Sequence, residues 1–269
     1  MSFSIAGKTA IVTGSANGIG LAIARHFQAI GANVMFADMD EERLEAEIGP
    51  EARTEGSVRM FTGDLREKLT IANLLSATMD AFDRVDILIN ASRMMKVSDP
   101  LKVGEDAVAE LLDQNLFTAL RLSQMTAKRM ILQSQMSPDQ TGAAGTIVNL
   151  SSIAATHTQG CLLGYSIACA AVDQMTRSMA VAFAPKGIRV NAVAIGSVLS
   201  ASLQTALRDN PDFRGQIEQG TPLGRVAAAT ELVDTVQYLA SEASAFVTGQ
   251  ILVVDGGRSL VDTVQAPAH

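Results

Sequence analysis

The sequence predicts a doubly wound α/β fold, in which a mostly parallel sheet of seven strands is covered by helices on both faces. Seven short apolar runs alternate with longer amphipathic stretches along the chain. The apolar runs are continuous, as is typical of strands that are buried on both faces. The chain has 269 residues, of which 48% are hydrophobic, and no linker-like stretch divides it. We therefore expect a single domain over residues 1–269.

The predicted elements follow one another in strand–helix order. The predicted strands are KTAIVT (8–13), NVMFAD (33–38), VRMFTG (58–63), DILIN (86–90), GTIVNLS (145–151), IRVNAVA (188–194) and QILVVDG (250–256). The clearest predicted helices span residues 18–30, 67–82, about 104–134, 164–184 and 229–241. Residues 199–225 break the alternation with two short helical pieces, which form either a lid over a site or an ordinary surface insertion. The last five residues, QAPAH, are a loose tail or a docking arm.

Composition and charge exclude several classes of function. The formal net charge is −7, which argues against a basic surface for nucleic acid. No run of about 18 apolar residues predicts a membrane span, and MSFSIAGKTAIVTG lacks the features of a secretory signal. The two cysteines have no spacing typical of a disulfide framework or a metal site. We expect a cytoplasmic protein that binds neither nucleic acid nor a membrane.

A glycine-rich segment, TGSANGIG (13–20), directly follows the first predicted strand and opens the first helix. Gly14 would make the tight turn, while Gly18 and Gly20 would let the backbone approach a pyrophosphate and the sheet. The N-terminus of the helix would supply N–H groups and a partial positive charge for the phosphates. The segment predicts a nucleotide site of the Rossmann type, although glycines also serve plain strand-to-helix turns.

Two aspartates follow the next predicted strands. A carboxylate at Asp38 would accept hydrogen bonds from the adenosine ribose and would repel a 2′-phosphate, so NAD is favoured over NADP. A helix-capping role fits Asp40 better, because a helix is expected to start near Glu41. Asp64 would accept from the adenine amino group or would cap the following helix.

Several further segments occur in a characteristic order. They are TGSANGIG, Asp38, Asp64-Leu65, Asn90, DQN ending at Asn115, NLSS ending at Ser152, Tyr165, IRVNAVAIG and VTGQILVVDGG. In this order the sequence resembles the short-chain dehydrogenase/reductase family over essentially its whole length. The resemblance implies hydride transfer between NAD and a small carbonyl or secondary alcohol, in a homo-tetramer or dimer built through the two long helices. The residues that it assigns to the cofactor are Gly14, Asn17, Gly18, Ile19, Gly20, Asp38, Asp64, Leu65, Asn90, Tyr165, Val198 and Ser200.

The resemblance also implies a catalytic tetrad, of which three members are present. Tyr165 would move the proton at the substrate oxygen, Ser152 would be a second donor to that oxygen, and Asn115 would hold a water. The fourth member is a lysine, and position 169 holds Cys169 instead. The substrate would lie in a mainly hydrophobic pocket, with contacts from Ser152, His157, Tyr165 and Leu199. The alternative for His157 and Leu199 is ordinary packing.

The missing lysine has two roles in the family: it binds the nicotinamide ribose, and its charge lowers the tyrosine pKa. An unperturbed tyrosine has a pKa of about 10, so roughly one in a thousand is ionised at pH 7. A neutral thiol supplies neither role, which predicts slow activity that is biased toward NADH-driven reduction. The alternative is a non-catalytic nucleotide-binding sensor or scaffold. A third hypothesis makes Cys169 a covalent nucleophile with His157 as its partner. The alternative for Cys169 is a small buried helix residue.

Other departures from the family pattern flank the site. Arg93, in NASR, stands where the family usually has glycine, and Ile195-Gly196 replaces Pro-Gly. Backbone at Val198 and the side chain of Ser200 would still hold the carboxamide. Either Arg93 or Lys96 replaces the missing charge, or both belong to a solvated basic loop.

Overall fold

The computed structural model describes residues 2–52, 56–136 and 143–262. Its seven strands form one sheet in the order β3-β2-β1-β4-β5-β6-β7, and every neighbouring pair is parallel. The strands are β1 Thr9–Thr13, β2 Asn33–Asp38, β3 Val58–Thr62, β4 Ile87–Asn90, β5 Gly145–Ser152, β6 Ile188–Ile195 and β7 Ile251–Val254. The predicted fold class is confirmed, and the sheet is parallel throughout where the sequence predicted it mostly parallel.

Helices cover both faces of the sheet. They are α1 Gly18–Ala29, α2 Glu41–Ala52, α3 Lys68–Phe82, α4 Val108–Leu111, α5 Thr118–Met136, α6 Leu163–Phe183, α7 Ala201–Asp209, α8 Asp212–Gln219 and α9 Val233–Ala240. On one face α1 and α9 contribute buried residues such as Phe27 and Val236. On the other face α3, α5 and α6 contribute Leu74, Leu122 and Met175. Among the described residues, no helix has the length and apolar character needed to cross a membrane.

The helix predicted from about residue 104 begins later than expected and is not continuous. Gly104 and Ala107 have φ angles of 83° and 59°, which are left-handed and end any helix before Val108. The Asp106 carboxylate accepts the N–H of Val108 at 2.9 Å. A π-helical turn at Leu112–Phe117 then separates α4 from α5. Side-chain contacts of the loop, which periodicity does not reveal, set this boundary.

The strand order reverses between β1 and β4, and this reversal positions the site. Crossovers from the two strands run to opposite faces, which opens a crevice at the carboxyl ends of the strands. The glycine-rich turn after β1, the loop after β4 and the end of β5 lie at this edge. The segment at 199–225 contains the two expected helical pieces, α7 and α8. The C-terminal QAPAH lies outside the described residues.

Candidate active site

The glycine-rich turn has the shape that a nucleotide site needs. Gly14 has a φ of 66°, and a Cβ there would lie 2.7 Å from the Cα of Ser92. A Cβ on Gly20 would collide with the carbonyl oxygen of Gly14. Asn17, the N-cap of α1, makes no side-chain capping hydrogen bond. The first N–H groups of α1, from Gly18 onward, are therefore not capped by this side chain and fit a phosphate.

Asp38 ties this turn to the end of β2. Its Oδ2 accepts the backbone N–H of Ala16 at 2.9 Å, and its Oδ1 accepts that of Asp40 at 3.1 Å. Asp40 in turn accepts the N–H of Arg43 at 3.1 Å, as expected for the cap of α2. The carboxylate of Asp38 therefore lies beside the glycine-rich turn, where an adenosine ribose would bind.

Asp64 lies after β3 and makes a close ion pair that the sequence analysis missed. Arg66 donates to both of its carboxylate oxygens, with the shortest distance 2.6 Å, and this lowers the pKa of Asp64. The alternative of a helix cap is wrong, because α3 starts after Glu67. The sequence feature that could have predicted this ion pair is the close spacing of Asp64 and Arg66 in the segment DLR. Leu65, between the two charges, is buried.

Asn90 belongs to a hydrogen-bonded chain that crosses the sheet. Its amide donates to Ser123 Oγ on α5 at 2.9 Å and to Asn149 Oδ1 on β5 at 2.7 Å. Asn149 donates to Thr176 Oγ1 on α6 at 2.8 Å. The side chain of Asn90 is thus buried and serves to fix two strands against two helices.

Asn115 lies in the π-helical turn, and its amide holds the loop after β4. Its Oδ1 accepts the N–H of Met94 at 2.8 Å, and its Nδ2 donates to the carbonyl of the same residue at 2.9 Å. A π-turn inside a helix often marks a functional site. The role of Asn115 in holding a water stays a prediction.

Ser152 and Tyr165 lie on two segments that pack together. Ser152 ends β5, and its Oγ accepts the N–H of Ala154 at 3.2 Å. Tyr165 lies in the first turn of α6, is 6% exposed, and packs with Ala154 and Leu111. Both hydroxyl-bearing residues are therefore at the carboxyl edge of the sheet, next to the crevice.

Cys169 lies one turn further along α6 and packs in the same cluster as Tyr165. It is 3% exposed, and burial raises the pKa of its thiol to about 11. The residue is therefore a neutral thiol near pH 7. The idea of a nucleophile paired with His157 finds no support, because that side chain is exposed and contacts Thr156 through Nδ1 at 3.0 Å.

Arg93 points into the site. Its Nη1 donates to the carbonyl of Ser151 at 2.6 Å, and its Cζ lies 5.4 Å from the centre of the Tyr165 ring. Burial lowers the pKa of this guanidinium, and the neighbouring Cys169 and Asp173 oppose that shift. Lys96 instead pairs with Glu110 at 2.7 Å on the surface. The hypothesis that both residues belong to a solvated basic loop therefore holds for Lys96 and is wrong for Arg93.

Asp173 is the second charged group that the sequence analysis missed. It is 6% exposed on α6, two turns beyond Tyr165. Burial raises the pKa of its carboxyl, and the charges of Arg177 and Arg93 oppose the rise. The sequence feature that could have identified Asp173 is its spacing: it lies four residues after Cys169 and eight after Tyr165, on the same helix face.

The remaining predicted residues lie around the mouth of the crevice. Val198 is buried and bridges to Ala227, and Leu199 follows it before α7. The hydroxyl of Ser200 caps α7 by accepting the N–H of Leu203 at 3.1 Å. Ser200 therefore has a structural role, whether or not it also contacts a carboxamide.

Comparison with known proteins agrees with this architecture. The family model described as Enoyl-(Acyl carrier protein) reductase matches residues 14–259. The L-rhamnose 1-dehydrogenase (NAD(P)(+)) of a Sphingomonas species is 31% identical over 255 residues, which cover 93% of this chain and 96% of that protein. The 3-oxoacyl-[acyl-carrier-protein] reductase FabG of Chlamydia pneumoniae is 29% identical over 257 residues, covering 96% and 99%.

A solved structure gives the same result. The gluconate 5-dehydrogenase from Burkholderia cenocepacia, crystallised with NADP and tartrate, superposes with a TM-score of 0.85 at 28% identity, covering 97% of this chain and 98% of that one. With the matching fold, the glycine-rich turn, and the serine and tyrosine at the crevice, the chain belongs to the short-chain dehydrogenase/reductase family of oxidoreductases.

Proposed function

We propose that this protein is an NAD(H)-dependent oxidoreductase that interconverts a small carbonyl compound and a secondary alcohol by hydride transfer. The observation that carries the proposal is the packing of the Ser152 and Tyr165 segments at the crevice beside the glycine-rich turn. One relative is named an L-rhamnose 1-dehydrogenase and one structural neighbour a gluconate 5-dehydrogenase, and these dehydrogenase names support hydride transfer as the reaction class.

The cofactor is proposed to be NAD rather than NADP. When bound, the nicotinamide supplies or accepts the hydride. On this chain, α1 and the glycine-rich turn would bind the phosphates, and the carboxylate of Asp38 would face the adenosine ribose. A 2′-phosphate there would be repelled by that charge. One relative is named for both NAD and NADP, and one structural neighbour contains NADP, so nucleotide preference rests on Asp38.

Proton transfer and polarisation of the substrate oxygen are assigned to different residues of the site. Tyr165 would donate the proton to the carbonyl oxygen during reduction, and Ser152 would polarise that oxygen with a second hydrogen bond. Cys169 is a buried neutral thiol and offers the nicotinamide ribose no strong donor. We therefore propose slower turnover than with a lysine there, and a bias toward reduction.

The substrate pocket and the assembly are also part of the proposal. Leu199 and the helices α7 and α8 would close a mainly hydrophobic pocket, with His157 at its edge. The exposed apolar side chains on α6 and on the turn before α5 support a homo-dimer or homo-tetramer through these helices; they are Phe117, Ile167 and Val181. Two free thiols fit a reducing cytoplasm. Light scattering of the purified protein tests the assembly.

The test of the proposed function is NADH oxidation against a chemically varied panel of carbonyl compounds, with wild type, Tyr165→Phe and Cys169→Lys in parallel. Turnover by wild type, reduced about 10²- to 10⁴-fold in Tyr165→Phe, is the expected result. NADH binding measured by calorimetry should survive that substitution. Binding without turnover in wild type and in Cys169→Lys would instead support a non-catalytic sensor or scaffold.

A further inference from the structure

Two departures from the family pattern lie side by side in the structure. Arg93 stands where glycine is usual, and Cys169 stands where lysine is usual. The two residues come from different parts of the chain, the loop after β4 and the helix α6, and both lie against Tyr165. We propose that Arg93 is a positioning residue that supplies, from the loop after β4, the positive charge that Cys169 lacks. This inference rests on the proposed role of Tyr165 as acid and base.

The loop that carries Arg93 is held in place on both sides of that residue. Thr13 Oγ1 accepts the N–H of Ala91 at 3.0 Å and that of Ser92 at 3.1 Å. After Arg93, the backbone of Met94 is held at both its N–H and its carbonyl by Asn115. The backbone on both sides of Arg93 is therefore fixed, so only the rotamers of its side chain remain to be ordered.

The guanidinium has partners that define its position. It donates to the Ser151 carbonyl at 2.6 Å, one residue before Ser152, and it lies over the Tyr165 ring at 5.4 Å. A guanidinium over an aromatic face is favourable, and a planar fork with five donors suits such a position. Because position 169 is a small thiol, no second cation from α6 competes for this space. A lysine there would place a like charge close to Arg93.

The charges around Tyr165 leave Arg93 as the cation closest to the ring among those described. Other titratable groups on the elements packed around the tyrosine include Cys169, Asp173 and Arg177 on α6, Lys96 and Asp106 on the loop, Glu110 on α4, Asp113 in the π-helical turn, and His157 after β5. Lys96 and Glu110 pair with each other on the surface, and Asp106 accepts the N–H of Val108. Arg93 keeps its proton at any working pH. Asp173 partly compensates its charge.

Arg93 is expected to replace only one of the two roles of the family's lysine. Its Nη1 is engaged by the Ser151 carbonyl, and it reaches Tyr165 from the β4 loop instead of from the α6 face. The charge beside the phenol is thereby retained, while the ribose loses the ammonium donor. The inference thus predicts that the proton affinity of Tyr165 is close to the value usual in the family, so Arg93 would reduce the bias toward reduction that Cys169 alone would cause. The KM for NADH would still be higher than with a lysine at position 169.

The test is a direct titration of Tyr165, which needs no turnover. The chain has two tyrosines and no tryptophan, so Tyr238→Phe leaves Tyr165 as the single near-ultraviolet chromophore for phenolate. In that background, Arg93→Met removes the charge and keeps the apolar stem. The titration midpoint should rise by about one pH unit or more, since an opposite charge at this range shifts a pKa by 1–3 units. Arg93→Lys should restore most of the shift.

Controls separate charge from structure. Lys96→Met removes a cation from the same loop and should leave the midpoint unchanged. If Arg93→Met does not fold by circular dichroism, Arg93→Gln, which keeps an N–H for Ser151, takes its place in the same titration. An equal midpoint in the Arg93 and Lys96 variants would overturn the inference. The proposed function fails separately, by an absence of NADH turnover in wild type.

A second comparison restores the family's arrangement. Cys169→Lys alone places two cations together, whereas Cys169→Lys with Arg93→Gly leaves one. We expect the double variant to have the higher kcat and to be the more stable of the two. An additive result, in which Arg93→Gly lowers kcat equally with and without the lysine, would contradict a shared role.

Discussion

At the scale of single residues, Tyr165 lies close to both an arginine and a buried thiol. The sequence showed both unusual residues but not their proximity, because Arg93 and Cys169 are more than 70 positions apart in the chain. Arg93 was weighed as a replacement charge, yet the same letters also fit a surface loop. What decided its position is the hydrogen bond to the Ser151 carbonyl and the contact with the Tyr165 ring.

The two cysteines should differ sharply in reactivity. Cys161 is exposed, whereas Cys169 is buried with a pKa raised to about 11. One thiol per chain should therefore react with a thiol reagent near pH 8 in the native state, and two should react after unfolding. Because the folded-state pKa is above the unfolded value of about 8.5, this group favours folding below that pH and the contribution is lost as pH rises toward 11. Two fast native thiols would contradict the burial.

Asp38 should decide the choice of nucleotide. Asp38→Ala removes the charge expected to repel a 2′-phosphate, so the preference for NADH over NADPH in kcat/KM should fall about tenfold or more. The same substitution removes the acceptor of the Ala16 N–H, so NADH binding should weaken as well. Asp40→Ala, which removes a helix cap and the ion pair with Arg43, is the control and should leave the preference unchanged. Wild-type preference for NADPH would contradict the NAD assignment.

At the scale of elements, the π-helical turn is joined to the loop after β4 by the side chain of Asn115. Asn115→Ala removes both hydrogen bonds to Met94 and leaves two backbone groups of the loop without these partners. We expect a loss of about 1–3 kcal/mol in the free energy of unfolding in urea, together with faster hydrogen exchange at Met94. Gln174→Ala, an exposed residue on α6, is the matched control. Equal exchange rates at Met94 in the two variants would contradict the role of Asn115.

Alanine substitutions at two glycines should have different effects, one impairing NADH binding and the other stabilising a helix. In the glycine-rich turn, a Cβ on Gly20 meets the backbone of Gly14, so Gly20→Ala should distort the turn and greatly weaken NADH binding by calorimetry. In α8, a Cβ on Gly215 meets no other atom within 4 Å. Gly215→Ala should therefore leave binding unchanged and stabilise the helix by about 0.5–1 kcal/mol. Similar binding by both variants would show that the turn is not the nucleotide site.

The elements themselves were largely predictable because their signals are local. Strand β2, for example, has the predicted bounds, and α6 differs by one residue at each end. The predicted start of α4, at about residue 104, was wrong. The left-handed backbone at Ala107 and the hydrogen bond from the Val108 N–H to Asp106 start the helix later than the sequence pattern indicates. The partner of Asn90, on the neighbouring strand, depends on strand order and register, which periodicity does not encode.

At the scale of the whole molecule, one sheet connects the proposed nucleotide site to the proposed proton-transfer residues. The glycine-rich turn belongs to β1 and α1, the arginine loop to β4, and the serine to β5, and these strands are neighbours in the sheet. The polar chain through Asn90 and Asn149 fixes the middle strands to α5 and α6. A change at Arg93 should therefore act on Tyr165 without altering the nucleotide end, and NADH affinity in Arg93→Met should stay within a few-fold of wild type.

The most direct measurement is the pH–rate profile of NAD-dependent alcohol oxidation, compared between wild type and Arg93→Met with the best alcohol from the panel. Oxidation requires the deprotonated tyrosine, so the rate should rise with pH through the ionisation of Tyr165. If Arg93 supplies the charge, the rise in Arg93→Met is displaced to higher pH by about one unit or more, and the plateau is reached later. Superimposable profiles of the two proteins would contradict the account.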